Sequence, residues 1–199
     1  LGGMPSSAPA AVAGWRDWLT PKLERGDFAS DGWLREKEGV TTDTAIRGVN
    51  MIPDDVSDCA VRLSYDLRSS EGIQITMRER KGLADERELY VADDNGRSLY
   101  IGRMLPDRSV VKLVTKDYMA DPSMKGPRVV EFRGEGNRLT ATLKGAMKDD
   151  LTVTAIDDVL DKGPCALVMK KGVLLRRAEV MNLDPSPMES QSAPTSPIK

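Results

Sequence analysis

From Trp33 onward, apolar and polar positions alternate with a period of two. In "CAVRLSYDLRSSEGIQITMRER", residues 59–80, Val61, Leu63 and Tyr65 share one face of an extended chain, and after a Ser-Ser-Glu-Gly turn Ile73, Ile75 and Met77 do the same. Because strand side chains point to opposite faces in turn, this spacing predicts two half-buried strands rather than helices. In "ELYVADDNGRSLYIGRM", residues 88–104, Asn95-Gly96 suits the two positive φ values of a type I′ hairpin turn. With that turn, Tyr90, Ala92, Leu99 and Ile101 share one face, and Leu89, Val91, Tyr100 and Gly102 the other. Further on, Leu139, Ala141 and Leu143 alternate with Thr140, Thr142 and Lys144, the chain turns at Lys144-Gly145, and "LTVTAI" returns. "CALVMKKGVLLRRAEVMNL" reads as another hairpin about Lys171-Gly172, with a slip in alternation near Arg176-Arg177 that suggests a bulge.

The period differs near the start. Val12, Trp15, Leu19 and Leu23 fall near helical spacing, with Gly26 as a stop and Pro21 allowing a break, so a short helix is expected over 11–25. Residues 1–10 and 185–199 are rich in Pro, Ser and Gly and poor in large apolar residues, and they read as linkers or disordered tails. The expectation is one domain over 11–184: the helix, then an all-β, two-sheet antiparallel β-sandwich (jelly roll) over 33–184.

Composition narrows the chemistry. The 29 basic and 31 acidic residues give a net charge of −2, without the cationic excess that phosphate contacts require, so nucleic acid is not an expected partner. No apolar run is long enough for a membrane-spanning helix. The chain has no His, which removes the commonest general base, the usual zinc ligand and every Ser-His or Cys-His nucleophile. Cys59 and Cys165 are far apart, with no CxxC spacing, and read as two small buried thiols; a disulfide between them requires an oxidising compartment. No metal or cofactor is expected. The first residue is Leu and no signal segment precedes the domain, so the chain reads as a piece of a longer protein.

Candidate binding residues follow from parity. Gln74, Thr76 and Arg78 lie opposite Ile73, Ile75 and Met77, and Tyr100 lies opposite Leu99 and Ile101. With Leu89 and Val91 on that same side, they outline a partly apolar groove suited to a glycan or a protein segment. Trp15, Trp18 and Trp33 are expected to fasten the helix to the sandwich. Asp93-Asp94-Asn95-Gly96 and Asp157-Asp158 read as solvated turns, with calcium ligation as the alternative. The runs "RERK" and "KKGVLLRR" read as solvated edges.

Residues 33–184 resemble the concanavalin-like lectin/glucanase sandwich, in particular the laminin-G-like bacterial domains of the 3-keto-disaccharide hydrolase type. Glu71-Gly72-Ile73 with Arg78 is similar to the end of that family's paired strands. Asn137-Arg138-Leu139, Gly145, Asp157-Asp158, Gly163 and Leu183-Asp184 resemble its closing half. The resemblance implies a sugar-handling sandwich, found both as a secreted enzyme and as an accessory domain of larger proteins, signalling kinases included. A sugar hydrolase needs two carboxyl groups about 5–10 Å apart. The same-face pairs Glu36/Glu38 and Glu86/Glu88 fall in turn-like stretches, and the Glu-x-Asp-x-Glu run of many glucanases is absent. The expected function is therefore a non-catalytic interaction or carbohydrate-binding module of a larger bacterial multidomain protein, extracytoplasmic or in the cell envelope. The alternative is a glycoside hydrolase using Arg78, Glu79, Asp93 and Asp94.

Overall fold

The computed structural model describes residues 14–28, 32–68, 72–83 and 85–183. Its strands are β1 (Arg16–Asp17), β2 (Trp33–Glu36), β3 (Gly39–Thr42), β4 (Ile46–Val56), β5 (Cys59–Asp66), β6 (Ile73–Lys81) and β7 (Arg87–Asp94). They continue as β8 (Ser98–Met104), β9 (Val110–Asp117), β10 (Arg128–Glu135), β11 (Arg138–Lys144), β12 (Leu151–Ile156), β13 (Gly163–Lys170) and β14 (Leu174–Asn182). One sheet has the order β12-β11-β10-β5-β14-β3-β2, with β1 added against β14; the other has the order β4-β13-β6-β7-β8-β9. Each neighbouring pair is antiparallel, and the two sheets form the expected sandwich.

The period-two faces close on one another. Val61, Leu63 and Tyr65 of β5 and Leu139, Ala141 and Leu143 of β11 meet Ile73, Ile75 and Met77 of β6 and Leu99 and Ile101 of β8 in a single buried cluster. This alternation is what a sandwich requires, since the inward sides of its two sheets pack against each other.

Two short connections, one read from sequence as a turn and the other as a hairpin, cross between the sheets. β5 lies in the first sheet and β6 in the second, although only the 67–72 link separates them. Likewise β13 and β14, joined through Gly172 at φ 91°, lie in different sheets and do not pair. Alternation reports which side of a strand is buried and carries no information about its hydrogen-bonding neighbour. The bulge near Arg176-Arg177 is present, as a register shift between Leu175 and Arg177 against β5.

The Asn95-Gly96 turn is longer than a two-residue type I′ loop. Gly96 has φ 84°, whereas the Asn95 side chain instead accepts from the N–H groups of Arg97 and Ser98, at 3.0 and 2.8 Å. Ala92 therefore pairs with Ile101, and Asp93 with Tyr100. The register moves by two residues, which preserves every face assignment. After the Lys144-Gly145 turn the chain returns as β12 over Leu151–Ile156, the residues read from the sequence.

The N-terminal helix α1 (Leu19–Arg25) is shorter than expected. Arg16 and Asp17 are drawn into the sheet by pairing with Val180 and Glu179. Asp17 Oδ1 then accepts from the N–H groups of Leu19 and Thr20, and Gly26 ends the helix at φ 78°. Pro21 falls in the first turn, where its missing N–H costs nothing. Residues 11–13, and the Glu71 and Asp184 landmarks, lie outside the described residues. Trp18, Phe28 and Trp33 form an edge-to-face chain holding α1 to the sandwich, while Trp15 stacks under the Arg62 guanidinium at 4.0 Å. No described helix is long and apolar enough to cross a membrane.

Candidate functional site

The outer face of the six-stranded sheet is assembled by register. One cross-strand row runs Val168, Gln74, Asp93, Tyr100 and Thr115; the next runs Ala166, Thr76, Val91, Gly102 and Lys112. Leu89 continues the apolar part beside Met104. Of the six residues expected on this face, five are on it: Gln74, Thr76, Leu89, Val91 and Tyr100.

Asp93 is the centre of this face. It is only 2% exposed, so it is a buried strand residue and not part of a solvated turn. Its Oδ2 accepts from Gln74 Nε2 at 2.5 Å, Tyr100 OH at 3.2 Å and Lys170 Nζ at 3.4 Å, while Oδ1 is buried with no hydrogen-bond partner. A buried acceptor left unpaired costs about 1–3 kcal/mol. Burial first, then the neighbouring Asp93 charge and its hydrogen bond, raises the Tyr100 phenol above its ordinary value, so this hydroxyl stays a donor. Lys112 Nζ lies over the Tyr100 ring, 4.9 Å from its centroid. The Tyr100 ring face is thus capped by a cation, not bare.

Arg78 is the exception in facing; the exposure expected by parity fails both for it and for Thr76, which is buried on this face together with Leu89 and Val91. Between Met77 and Arg80 the β6–β7 register slips, and Arg78 itself sits at φ 55°. This bulge inserts one residue and breaks the alternation, so the side chain leaves the outer face. It is 2% exposed. Its Nε donates to the Ser57 carbonyl at 2.8 Å, Nη1 to Gly136 and Leu160 carbonyls at 2.7 and 3.2 Å, and Nη2 to Asp58 Oδ1 at 3.3 Å. Gly134 leaves room for it: a Cβ there would meet Nη2 at 3.3 Å. Arg78 is a clasp across one end of the sandwich.

The residues of the hydrolytic alternative do not converge. Asp94, next to Asp93 in the strand, faces the other way and is fully buried. It accepts from the hydroxyls of Tyr65 and Tyr118, from Gly96 N–H at 2.9 Å and from Arg128 Nη1 at 3.3 Å. Glu79 belongs to the bulge beside Arg78 and pairs with Arg87 at 3.5 Å. Gln74, the partner of Asp93, precedes Arg78 by four residues on β6, a separation of about 13 Å along a strand. Asp157 is likewise a structural group: Tyr90 OH donates to its Oδ1 at 2.5 Å, as do Val159 N–H at 3.0 Å and Arg103 at 3.3 Å. Glu36 and Glu38 pair with Arg68 and Arg176, at 2.7 Å in each case.

No family model and no curated protein matches the chain. Solved structures do. The carbohydrate-binding module CBM66 from Bacillus subtilis superposes with a TM-score of 0.57 at 14% identity, over 86% of this chain and 97% of that one. A Bacillus subtilis protein of unknown function with a galectin-like fold gives 0.55 at 10%, over 88% and 92%. The exoplasmic/lumenal domain of VIP36, bound to Ca2+ and Man3GlcNAc, gives 0.54 at 13%, over 81% and 86%. At these identities the likeness is one of fold: a two-sheet antiparallel β-sandwich.

The importance of Asp93 was hidden because "DDNG" has the composition of a turn. The signal that could have exposed it is parity: residue 93 shares the side of Leu89 and Val91, so a strand extended by two residues places a carboxylate on that face. Lys170, from the other flank of β6, has no sequence signal that links it to Asp93.

Proposed function

We propose that this domain is a non-catalytic carbohydrate-binding module whose ligand seats on the outer face of the six-stranded sheet, around Asp93. The observation that carries the reading is the Asp93 carboxylate, oriented by Gln74, Tyr100 and Lys170 and holding one oxygen without a donor. A sugar hydroxyl is a neutral O–H donor and can supply what that oxygen lacks without importing a charge. Leu89, Val91, Thr76 and Ala166, all buried, make the surroundings of Asp93 largely apolar, which suits the C–H face of a sugar ring once the covering side chains move. Oδ1 is shielded from solvent as it stands, so binding requires neighbouring side chains to swing aside; Lys112, exposed and resting on Tyr100, is the one best placed to do so. The carbohydrate-binding neighbours of the same fold support this reading. The Asn137-Arg138-Leu139 and Gly163 landmarks support the finer grouping with 3-keto-disaccharide hydrolase-like sandwiches, and the Pro/Ser-rich ends support an accessory domain within a larger bacterial protein.

The test is a glycan array followed by isothermal titration calorimetry of the wild type and Asp93→Asn. The variant keeps the shape but replaces one acceptor oxygen by a donor, and affinity should fall at least about tenfold, the cost of one charge-assisted hydrogen bond. Absence of binding to any glycan, or binding that Asp93→Asn leaves unchanged, would refute the proposal; the first result would redirect the face to a protein segment.

A further inference from the structure

We propose that Cys59 and Cys165 form a disulfide that staples the two sheets together, and that the domain accordingly matures in an oxidising compartment. Cys59 opens β5 in one sheet and Cys165 lies near the start of β13 in the other. They are 106 residues apart in sequence, yet their sulfurs face one another across the core at 2.8 Å. Bonded sulfurs sit about 2.05 Å apart, so a movement of less than about 1 Å closes the bond. Thiols serving only as small core filler have no reason to meet sulfur to sulfur. These two do so at a site fixed from several sides. Cys59 is held in register opposite both Gly134 and Asn182, and Cys165 sits where β13 slips in register against β4.

The chemistry is two successive thiol–disulfide exchanges. One cysteine thiolate attacks a sulfur of an external disulfide, either oxidised glutathione or the active-site disulfide of a thiol oxidoreductase, giving a mixed disulfide and releasing one thiol. The second cysteine thiolate displaces the other thiol, so the two protein thiols are oxidised, one external disulfide is reduced to two thiols, and the atoms balance. The timing follows from burial. Cys59 is 1% and Cys165 0% exposed in the folded protein, out of reach of such an oxidant. The hydrogen bond with Cys59, and then burial, push the Cys165 thiol up, so in the folded protein Cys165 is also a poor nucleophile. The bond must therefore form while the sandwich is assembling. Bonds of this kind persist in secreted, periplasmic and cell-surface proteins and are rare in the reducing cytosol.

The experiment refolds denatured, reduced wild-type protein in a glutathione redox buffer, then alkylates it under denaturing conditions and measures its intact mass. The expected result is a monomer with no alkylated cysteine, two hydrogens lighter than the reduced chain. The loop closed by the bond is long enough that adding a phosphine reductant during melting should lower the transition by roughly 10 °C. The Cys59→Ala/Cys165→Ala variant should melt at one temperature with or without reductant. Two alkylated cysteines after oxidative refolding, or oxidation that yields only disulfide-linked dimers, would overturn the proposal. Because the mass measurement uses the wild-type chain and no glycan, it is independent of whether Asp93 binds sugar.

Discussion

Replacing Arg78 by Ala should destabilise the domain by about 4 kcal/mol, an estimate that can be built from its contacts. The guanidinium makes three bonds to main-chain carbonyls, of Ser57, Gly136 and Leu160, and one to the Asp58 carboxylate. Bonds to a charged donor contribute about 1.5–3 kcal/mol each. The Asp58 arm is discounted for solvent screening, since that side chain is 33% exposed. Three carbonyl bonds at the lower end of the range come to about 4–5 kcal/mol, less what water recovers by entering the neighbouring cleft; removing one partner of a buried ionic cluster costs a similar 3–5. The cleft is open enough for that, about 300 Å³, lined by Ser57, Asp58, Gly136, Asn137 and Leu160. At about 2–4 °C per kcal/mol for a chain of this size, the melting temperature should fall by roughly 8–16 °C. Arg78→Gly should be less damaging by about 1 kcal/mol, because φ 55° strains any residue with a Cβ and leaves Gly unstrained. Urea unfolding is the assay, with the midpoint falling at an unchanged slope. A loss below about 1 kcal/mol for Arg78→Ala, the level of an ordinary surface change, would return the side chain to solvent and refute the bulge as described.

Gly163→Ala should be strongly destabilising, because at φ 150° its Cβ would lie 2.6 Å from the Glu79 carbonyl oxygen and 2.7 Å from Arg78 main-chain carbon; a thermal melt reading the same as wild type would show that β13 does not press on the bulge. All four tyrosines should resist ionisation. Burial is the leading cause in each case, followed by the nearby carboxylates Asp94 for Tyr65 and Tyr118, Asp93 for Tyr100, and the hydrogen bond to Asp157 for Tyr90, which is pushed up to about 12. Each folded value lies above the unfolded one, so the unfolded chain releases phenolic protons first; this stability is complete below about pH 10 and is lost as pH rises toward about 12. Phenolate absorbance should therefore appear together with loss of the β-sheet circular dichroism signal, and four phenolates titrating near pH 10 in a protein still folded would contradict it.

Burial parity was legible in the sequence and strand partnership was not. Ile73, Ile75, Met77, Leu139, Ala141 and Leu143 all face the core as their spacing predicts, because one wrong parity would turn a whole strand inside out. The Asn95-Gly96 loop shows how robust this is: the register moved by two and no face changed. Arg78 shows where it fails. One inserted residue reverses parity locally, and nothing in "MRERK" distinguishes a bulge from a regular strand, since the positive φ that marks it falls on an arginine and not a glycine. The links 67–72 and 171–173 defeated the reading for another reason: both are short enough for hairpins, and only the packing of two sheets decides that the chain crosses instead. At the binding face, individual residues could be read, but the convergence of Gln74, Tyr100 and Lys170 on Asp93 depends on four strands whose order the sequence does not carry.

The position of β14 has a consequence for how the domain is made. The last strand among the described residues is an interior strand, hydrogen-bonded to β5 on one side and to β3 and β1 on the other. A ribosome working at about 5–20 residues per second must finish Leu174–Asn182 before the first sheet can exist as a continuous layer. Until then β5 and β3 present open edges, and the apolar faces of both half-built sheets have no lid. The first sheet is therefore completed only once β14 has been made, and a nascent or truncated chain lacking β14 exposes the surfaces on which aggregation starts. Until β14 fills the gap between β5 and β3, the half-built layer has to be kept from pairing with other chains.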